Sequence, residues 1–235
     1  MDRYLIEEHL VNINSYLENF VTDNRKSLID KVLSARTRYI TVVLEDIYQS
    51  QNASAVIRTA DCFGVQDVHV IENYNRFEIN RDVVRGASQW VTVRKYNQEE
   101  QNTQHALALL KENGYRIVAT SPYKGGGALH GFDLLKGKAA IIFGSEHLGI
   151  SQMAEQMADE FLFIPMVGFT ESLNVSVSAA LVMNFLMSQL RRSTINWQLT
   201  STEHDQLKYE WLMHSLKKPD LLVRKFFEER GMGCV

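Results

Sequence analysis

Phe161-Leu162-Phe163-Ile164-Pro165-Met166-Val167-Gly168-Phe169-Thr170-Glu171-Ser172-Leu173-Asn174-Val175-Ser176 is the stretch on which the reading of the fold turns. Its opening apolar run predicts a buried strand, which Pro165 ends because proline has no N–H to give to a sheet ladder. A loop carrying Gly168 follows. From about Leu173 to Arg191 the pattern predicts a long apolar helix, with Ser172 placed to cap it by accepting orphan N–H groups of the first turn. Ser172 and Asn174 then stand at a strand–loop–helix junction, where open α/β sheets hold their ligands. Capping alone accounts for such residues equally well.

Upstream of that stretch, short apolar runs alternate with helical patterns. Strands are expected at Ile40–Leu44, Val68–Ile71, Val91–Val93, Arg116–Ala119, Ala139–Phe143 and Phe161–Ile164, and helices near Ala53–Phe63, Thr103–Asn113 and Gln152–Met157. The alternation implies βαβ units in an α/β fold, a mostly parallel sheet of about six strands with helices on both faces. Residues 1–38 read as a helical N-terminal extension, with helices over 5–20 and 25–36, and residues 193–235 as a helical C-terminal one, with helices over 203–215 and 219–230. Ser121-Pro122 and Gly125-Gly126-Gly127 read as a flexible loop; no Gly-Lys-Ser/Thr follows, so it is not a phosphate-binding P-loop.

Composition sets the outer bounds. Hydrophobic residues make up 45% and charged residues 23%, as in ordinary globular proteins. No apolar run is long enough to predict a membrane span, and the acidic start MDRYLIEEHL has no signal-peptide core, so a cytoplasmic location is expected. Two cysteines, Cys62 and Cys234, are too few for a disulfide framework or a zinc site, and no metal is expected. A net charge of −3 argues against bulk-charge binding of nucleic acid, DNA included, but leaves room for local patches. The candidates are Arg25, Lys26 and Arg36 before the sheet, Arg191 and Arg192 closing the long helix, and Lys217 and Lys218 beyond it.

Two further segments carry chemistry. Asn52-Ala53-Ser54-Ala55-Val56-Ile57-Arg58 opens on a good helix cap and brings an arginine beside apolar neighbours; Asp61, at i+3, is its natural ion-pair partner. Phe143-Gly144-Ser145-Glu146-His147-Leu148-Gly149-Ile150-Ser151 follows a strand, and its glycines let backbone approach a ligand closely. Glu146 can cap or pair at a helix start, Ser151 can cap Gln152–Met157, and His147 reads as a surface or packing residue.

Together the three segments, in this order and spacing, closely resemble the three motifs of the SpoU branch of the SPOUT RNA methyltransferases, and the short helical extensions resemble the TrmH type. The resemblance spans roughly Tyr39 to Arg192 and implies a methyltransferase domain with a deep trefoil knot within about 115–192. It implies S-adenosyl-L-methionine as methyl donor, held at Thr120, Gly144, Ile164, Met166 and Leu173. It implies a catalytic set of Asn52, Arg58, Glu146, Ser172 and Asn174 acting on a ribose 2′-hydroxyl, and hence on RNA rather than DNA. The expected substrate is tRNA, at the D-loop guanosine (position 18), and the expected assembly a homodimer. Ribosomal RNA is the alternative substrate; an RNA-binding protein that kept the fold without the chemistry is a further one. One departure is visible: Ser188-Gln189-Leu190 stands where TrmH-type proteins carry arginines, and the basic pair comes later, at Arg191 and Arg192. Arginine is effectively always protonated, so Arg58 is expected to orient a phosphate beside the ribose, leaving Glu146 or that phosphate to accept the proton.

Overall fold

A computed structural model of the protein describes residues 3–121 and 126–232. They fall into two compact units: Thr37–Trp197, and Met1–Arg36 together with Gln198–Val235.

The central unit is built on strands β1 (Ile40–Glu45), β2 (Asp67–Ile71), β3 (Thr92–Tyr96), β4 (Arg116–Thr120), β5 (Gly127–Ala128), β6 (Ala139–Phe143) and β7 (Glu160–Phe163). They form one parallel sheet in the order β3-β2-β1-β6-β4-β7-β5. Each of the six anticipated runs contributes a strand. The seventh, β5, arises in the glycine stretch taken for a loop; part of that stretch, residues 122–125, lies outside the described residues.

Sheet periodicity decides which side chain enters which core. Ile40, Val42 and Leu44 of β1 and Ala139, Ile141 and Phe143 of β6 point to one face, where helices α4 (Ser50–Phe63) and α8 (Val175–Arg192) cover them. Val43, Ala140 and Ile142 point to the other face, against α6 (Asn102–Glu112) and α7 (Gln152–Met157). Burial on both faces is why these strands read as unbroken apolar runs.

Two helix starts differ from expectation, and both bear on the site. Helix α8 begins at Val175 with Asn174 as its cap, so Ser172, which is exposed, does not cap it. Helix α4 begins at Ser50, so Asn52 lies inside its first turn and its side chain is released from capping.

The terminal unit contains α1 (Arg3–Glu8), α2 (Leu10–Leu17), α3 (Asp23–Leu33), α9 (Ser201–Ser215) and α10 (Pro219–Glu228). The first expected helix is thus divided in two, at His9. Asn14 donates to the Asp205 carbonyl at 2.8 Å, and Lys208 pairs with both Glu18 and Asp30. Helix α9 opens with a reciprocal capping box between Thr200 and Glu203.

Candidate active site

The order of connection along the sheet reverses between β1 and β6, with β2 and β3 on one side and β4, β7 and β5 on the other. Loops that leave the carboxyl ends of strands at such a point diverge and open a crevice. A cleft of about 620 Å³ lies there, bordered by Thr120 at the end of β4, Phe143 and Gly144 at the end of β6, and Ile164 beyond β7.

Backbone shapes its floor. Ser145 and Gly149 exchange two N–H···O bonds of 2.9 Å, folding residues 145–149 into a closed loop. A Cβ on Gly144 would lie 2.2 Å from the Gly149 carbonyl carbon, so the loop can close in this way only over glycine. The loop is also tied to the sheet. Buried Glu45, at the end of β1, accepts from Ser151 N at 2.8 Å, Ser151 Oγ at 2.7 Å and Thr103 Oγ1 at 2.6 Å. Ser151 in turn accepts from Ala154 N and caps α7 as anticipated.

Polar side chains from all three motif segments meet on the cleft wall. Glu146 accepts from Tyr48 N at 2.9 Å, Gln49 N at 3.3 Å and Asn52 Nδ2 at 2.7 Å. Asn52 Oδ1 accepts from Asn174 Nδ2 at 3.2 Å, and Asn174 Oδ1 accepts from Ser176 N and Oγ at 2.8 and 2.6 Å. A continuous chain of hydrogen bonds thus runs from the β1–α4 turn through the glycine loop to the N-terminus of α8. Partial burial pushes the Glu146 carboxyl upward, but the bonds from Asn52, Tyr48, its own backbone and Gln49 outweigh it and hold it below the usual carboxylate range. Glu146 is therefore an anion at neutral pH with three donors already on it.

Asn52, Thr120, Gly144, Glu146, Ile164, Met166, Ser172, Leu173 and Asn174 all line this one cleft. Arg58 does not. It is exposed on α4, and among the described residues neither Asp61 nor any other group pairs with it. The basic residues divide between the units. Arg191 donates to the Phe63 carbonyl at 2.7 Å and so closes the C-terminus of α4, while Arg192 is exposed. Lys217 and Lys218 are exposed, Arg25 and Lys26 are half-buried, and Lys26 lies 3.4 Å from Asp23. Arg36 needs correcting as a surface contact: it is 1% exposed, with its guanidinium over the Trp211 ring at 5.2 Å, because a planar cation stacks readily on an aromatic face.

Sequence reasoning missed the amides of Tyr48 and Gln49 and the anchoring carboxylate of Glu45. The last had a signal: a carboxylate directly following the apolar run Ile40–Leu44 must be partnered once buried. No group of His, Cys, Asp or Glu among the described residues is arranged to hold a metal ion.

Comparison with known proteins gives consistent results. The SpoU rRNA Methylase family model matches residues 39–184. The tRNA (guanosine(18)-2'-O)-methyltransferase of Borreliella burgdorferi is 44% identical over 201 residues, which cover 86% of this chain and 90% of that protein. The crystal structure of the A. aeolicus TrmH/SpoU tRNA modifying enzyme superposes with a TM-score of 0.72 at 26% identity, covering 83% of this chain and 98% of that one. The SpoU methyltransferase AviRb from Streptomyces viridochromogenes, solved in complex with the cofactor AdoMet, shares the fold with a TM-score of 0.57 at 19% identity, over 70% of this chain and 65% of its own.

Proposed function

The chain belongs to the SpoU rRNA methylase family, and from that premise we propose that it methylates the ribose 2′-oxygen of a tRNA guanosine, position 18, using S-adenosyl-L-methionine. The observation that carries this reading is the convergence of three separate motif segments on one cleft, joined by the Glu146–Asn52–Asn174 chain.

The cleft suits the cofactor. Its volume of about 620 Å³ is in the range of pockets for ligands of that size, and Leu162, Ile164, Leu173 and Val182 give it apolar walls. Among the described residues no Lys or Arg lines it, whereas Glu146 and Glu155 do, which fits a ligand with cationic groups and no phosphate. When bound, the cofactor supplies a sulfonium-activated methyl group. The chain's own residues mainly align the reactants. Asn52 is held rigidly between a carboxylate and Asn174, and Asn174 stands at the positive end of α8, so both amides present fixed dipoles to the ribose. Glu146, occupied by three donors and held ionised, anchors this array rather than accepting the proton. Ser172, exposed on the cleft rim and free of capping, completes the polar edge.

Arg58 is assigned to substrate phosphate, which an unpaired guanidinium fork recognises in two-point fashion. Arg58→Lys should lose most of its activity, and near-full activity would refute that role. The domain arrangement proposed is a methyltransferase domain over 39–192 between helical extensions, knotted within 115–192. The knot has topological support: β7 lies between β4 and β5, strands that precede it in the chain. A homodimer is proposed on the apolar residues that α8 leaves exposed, Val177 and Leu181; a monomer by light scattering at micromolar concentration would refute it.

Transfer of label from methyl-labelled S-adenosyl-L-methionine to tRNA transcripts, with the modified nucleotide mapped, tests the whole reading. A 2′-O-methylguanosine in the D-loop is expected. Transfer confined to ribosomal-RNA fragments would move the substrate to the other RNA class.

A further inference from the structure

A second cleft, of about 320 Å³, lies on the far side of the glycine loop. The loop is a shared wall, with Ser145, His147, Leu148, Gly149 and Ile150 lining both spaces. The opposite wall comes from the end of β1 and the segment after β2.

Its lining is unusual for a surface hollow. Tyr74 is 89% exposed and Tyr48 61% exposed, and the Tyr48 ring meets the exposed His147 ring edge to face at 5.5 Å. Aromatic rings presented to solvent in a group mark a binding surface. Backbone geometry accounts for their presentation. Asp46 takes a left-handed φ of 49°, and its carboxylate accepts from the amides of Asn73, Tyr74 and Asn75 at 2.7, 2.8 and 3.3 Å. That tether holds the segment in a turn from which Tyr74 projects. Asn75 Nδ2 donates to the Asp46 carbonyl at 2.9 Å, which leaves Asn75 with a second amide hydrogen and an Oδ1 that have no partner among the described residues.

Charge narrows the occupant. Glu45 and Asp46 lie on this wall and, among the described residues, no Lys or Arg does, so a phosphate is repelled. A planar heterocycle fits: the rings offer stacking, and a free amide edge offers one donor and one acceptor. From this we infer that the second cleft seats the unstacked base of the nucleotide whose ribose is methylated, an inference that rests on the RNA-methyltransferase reading above. Covalent geometry supports the pairing of the two clefts. In a nucleotide the base hangs from the carbon adjacent to the one bearing the 2′-hydroxyl, so a base behind a one-loop wall brings that hydroxyl to the rim of the cofactor cleft. Recognition of splayed bases by stacking and edge hydrogen bonds is the general mode for unpaired RNA.

Steady-state methyl transfer to tRNA transcripts tests this in the full-length protein, with S-adenosyl-L-methionine affinity measured in parallel. Tyr74 is a surface residue, so its replacement leaves the fold intact. Tyr74→Ala should lower kcat/KM for tRNA about 10-fold, a typical loss for one stacked base, with cofactor affinity unchanged. Tyr74→Trp should stay within about 3-fold of wild type, since any large ring stacks. A transcript with inosine in place of the target guanosine removes the exocyclic amine; it should cost the wild type more than it costs Asn75→Ala. Tyr74→Ala within twofold of wild type, or losses for Asn75→Ala and inosine that simply multiply, would overturn the inference while wild-type methylation of tRNA continued. A wild type that methylates no RNA would remove the premise, and the inference with it.

Discussion

Asn52→Asp puts the proposed anchor under the most direct test, because it changes one atom of a bridging side chain and keeps its shape. In the native site Asn52 Nδ2 donates to Glu146 Oε1 at 2.7 Å, and Asn52 is only 8% exposed. The variant sets a second carboxylate against the first. Two unit charges at that separation repel by about 6 kcal/mol at an effective dielectric of 20. Glu146 is half open to solvent, and screening at the cleft rim should reduce this to roughly 2–3 kcal/mol. The pair escapes by sharing a proton, which raises its apparent pKa above that of an isolated carboxyl. The sign follows from proton counting. Between the unfolded aspartate value and the raised folded one, the native state binds more protons, so the variant gains stability as pH falls. Urea unfolding midpoints at pH 8 and pH 5 check this, with Asn52→Ala as reference. Asn52→Asp should be the less stable of the two by about 2 kcal/mol at pH 8 and about equal to it at pH 5. A gap between the variants that does not change with pH would refute the contact and the anchoring role built on it.

Three further outcomes follow from the same geometry. Asn174→Ala removes the cap of α8 and should cost about 1 kcal/mol in thermal unfolding, whereas Ser172→Ala should cost less than about 0.5 kcal/mol; equal losses would contradict the observed cap. Gly144→Ala forces a Cβ against the Gly149 carbonyl and should weaken S-adenosyl-L-methionine binding at least about 10-fold by calorimetry, since the loop cannot close over it; unchanged affinity would show that the loop does not shape the cofactor cleft. Burial, helped by the Arg94 charge, lowers the His69 pKa to about 3. The folded protein keeps this imidazole neutral where the unfolded chain protonates it, so His69 should cost about 1.4 kcal/mol of stability per pH unit from about 6 down toward 3. His69→Phe should flatten that part of the wild-type profile between pH 6.5 and 5, and an unchanged slope would place the acid sensitivity elsewhere.

How far the site was legible depends on what each residue's role required. Ile40–Leu44 and Ala139–Phe143 were readable as strands because burial on both faces writes itself as continuous apolar sequence. β3 was displaced: Val91 is buried, but the strand is Thr92–Tyr96 at the sheet edge, where exposed Arg94 and Lys95 hide the apolar signal. β5 could not be read at all, since two residues become a strand only when β7 arrives beside them. Caps were ambiguous for a physical reason. Ser50, Asn52, Ser172 and Asn174 are all competent cap residues, and tertiary packing chooses among them. That choice made the site: capping by Asn174 turns its amide toward Asn52, and excluding Asn52 from the cap frees it to bridge to Glu146. Helix geometry also makes the position of Arg58 legible. Six residues after Asn52 the helix has turned so that the two side chains point about 120° apart, which puts them on different sides of it. A cleft lined by carboxylates and no Lys or Arg among the described residues, with the motif arginine outside it, divides the labour on the proposed reading. The cationic donor and the neutral hydroxyl meet inside, and the phosphates of the RNA are met outside, by Arg58.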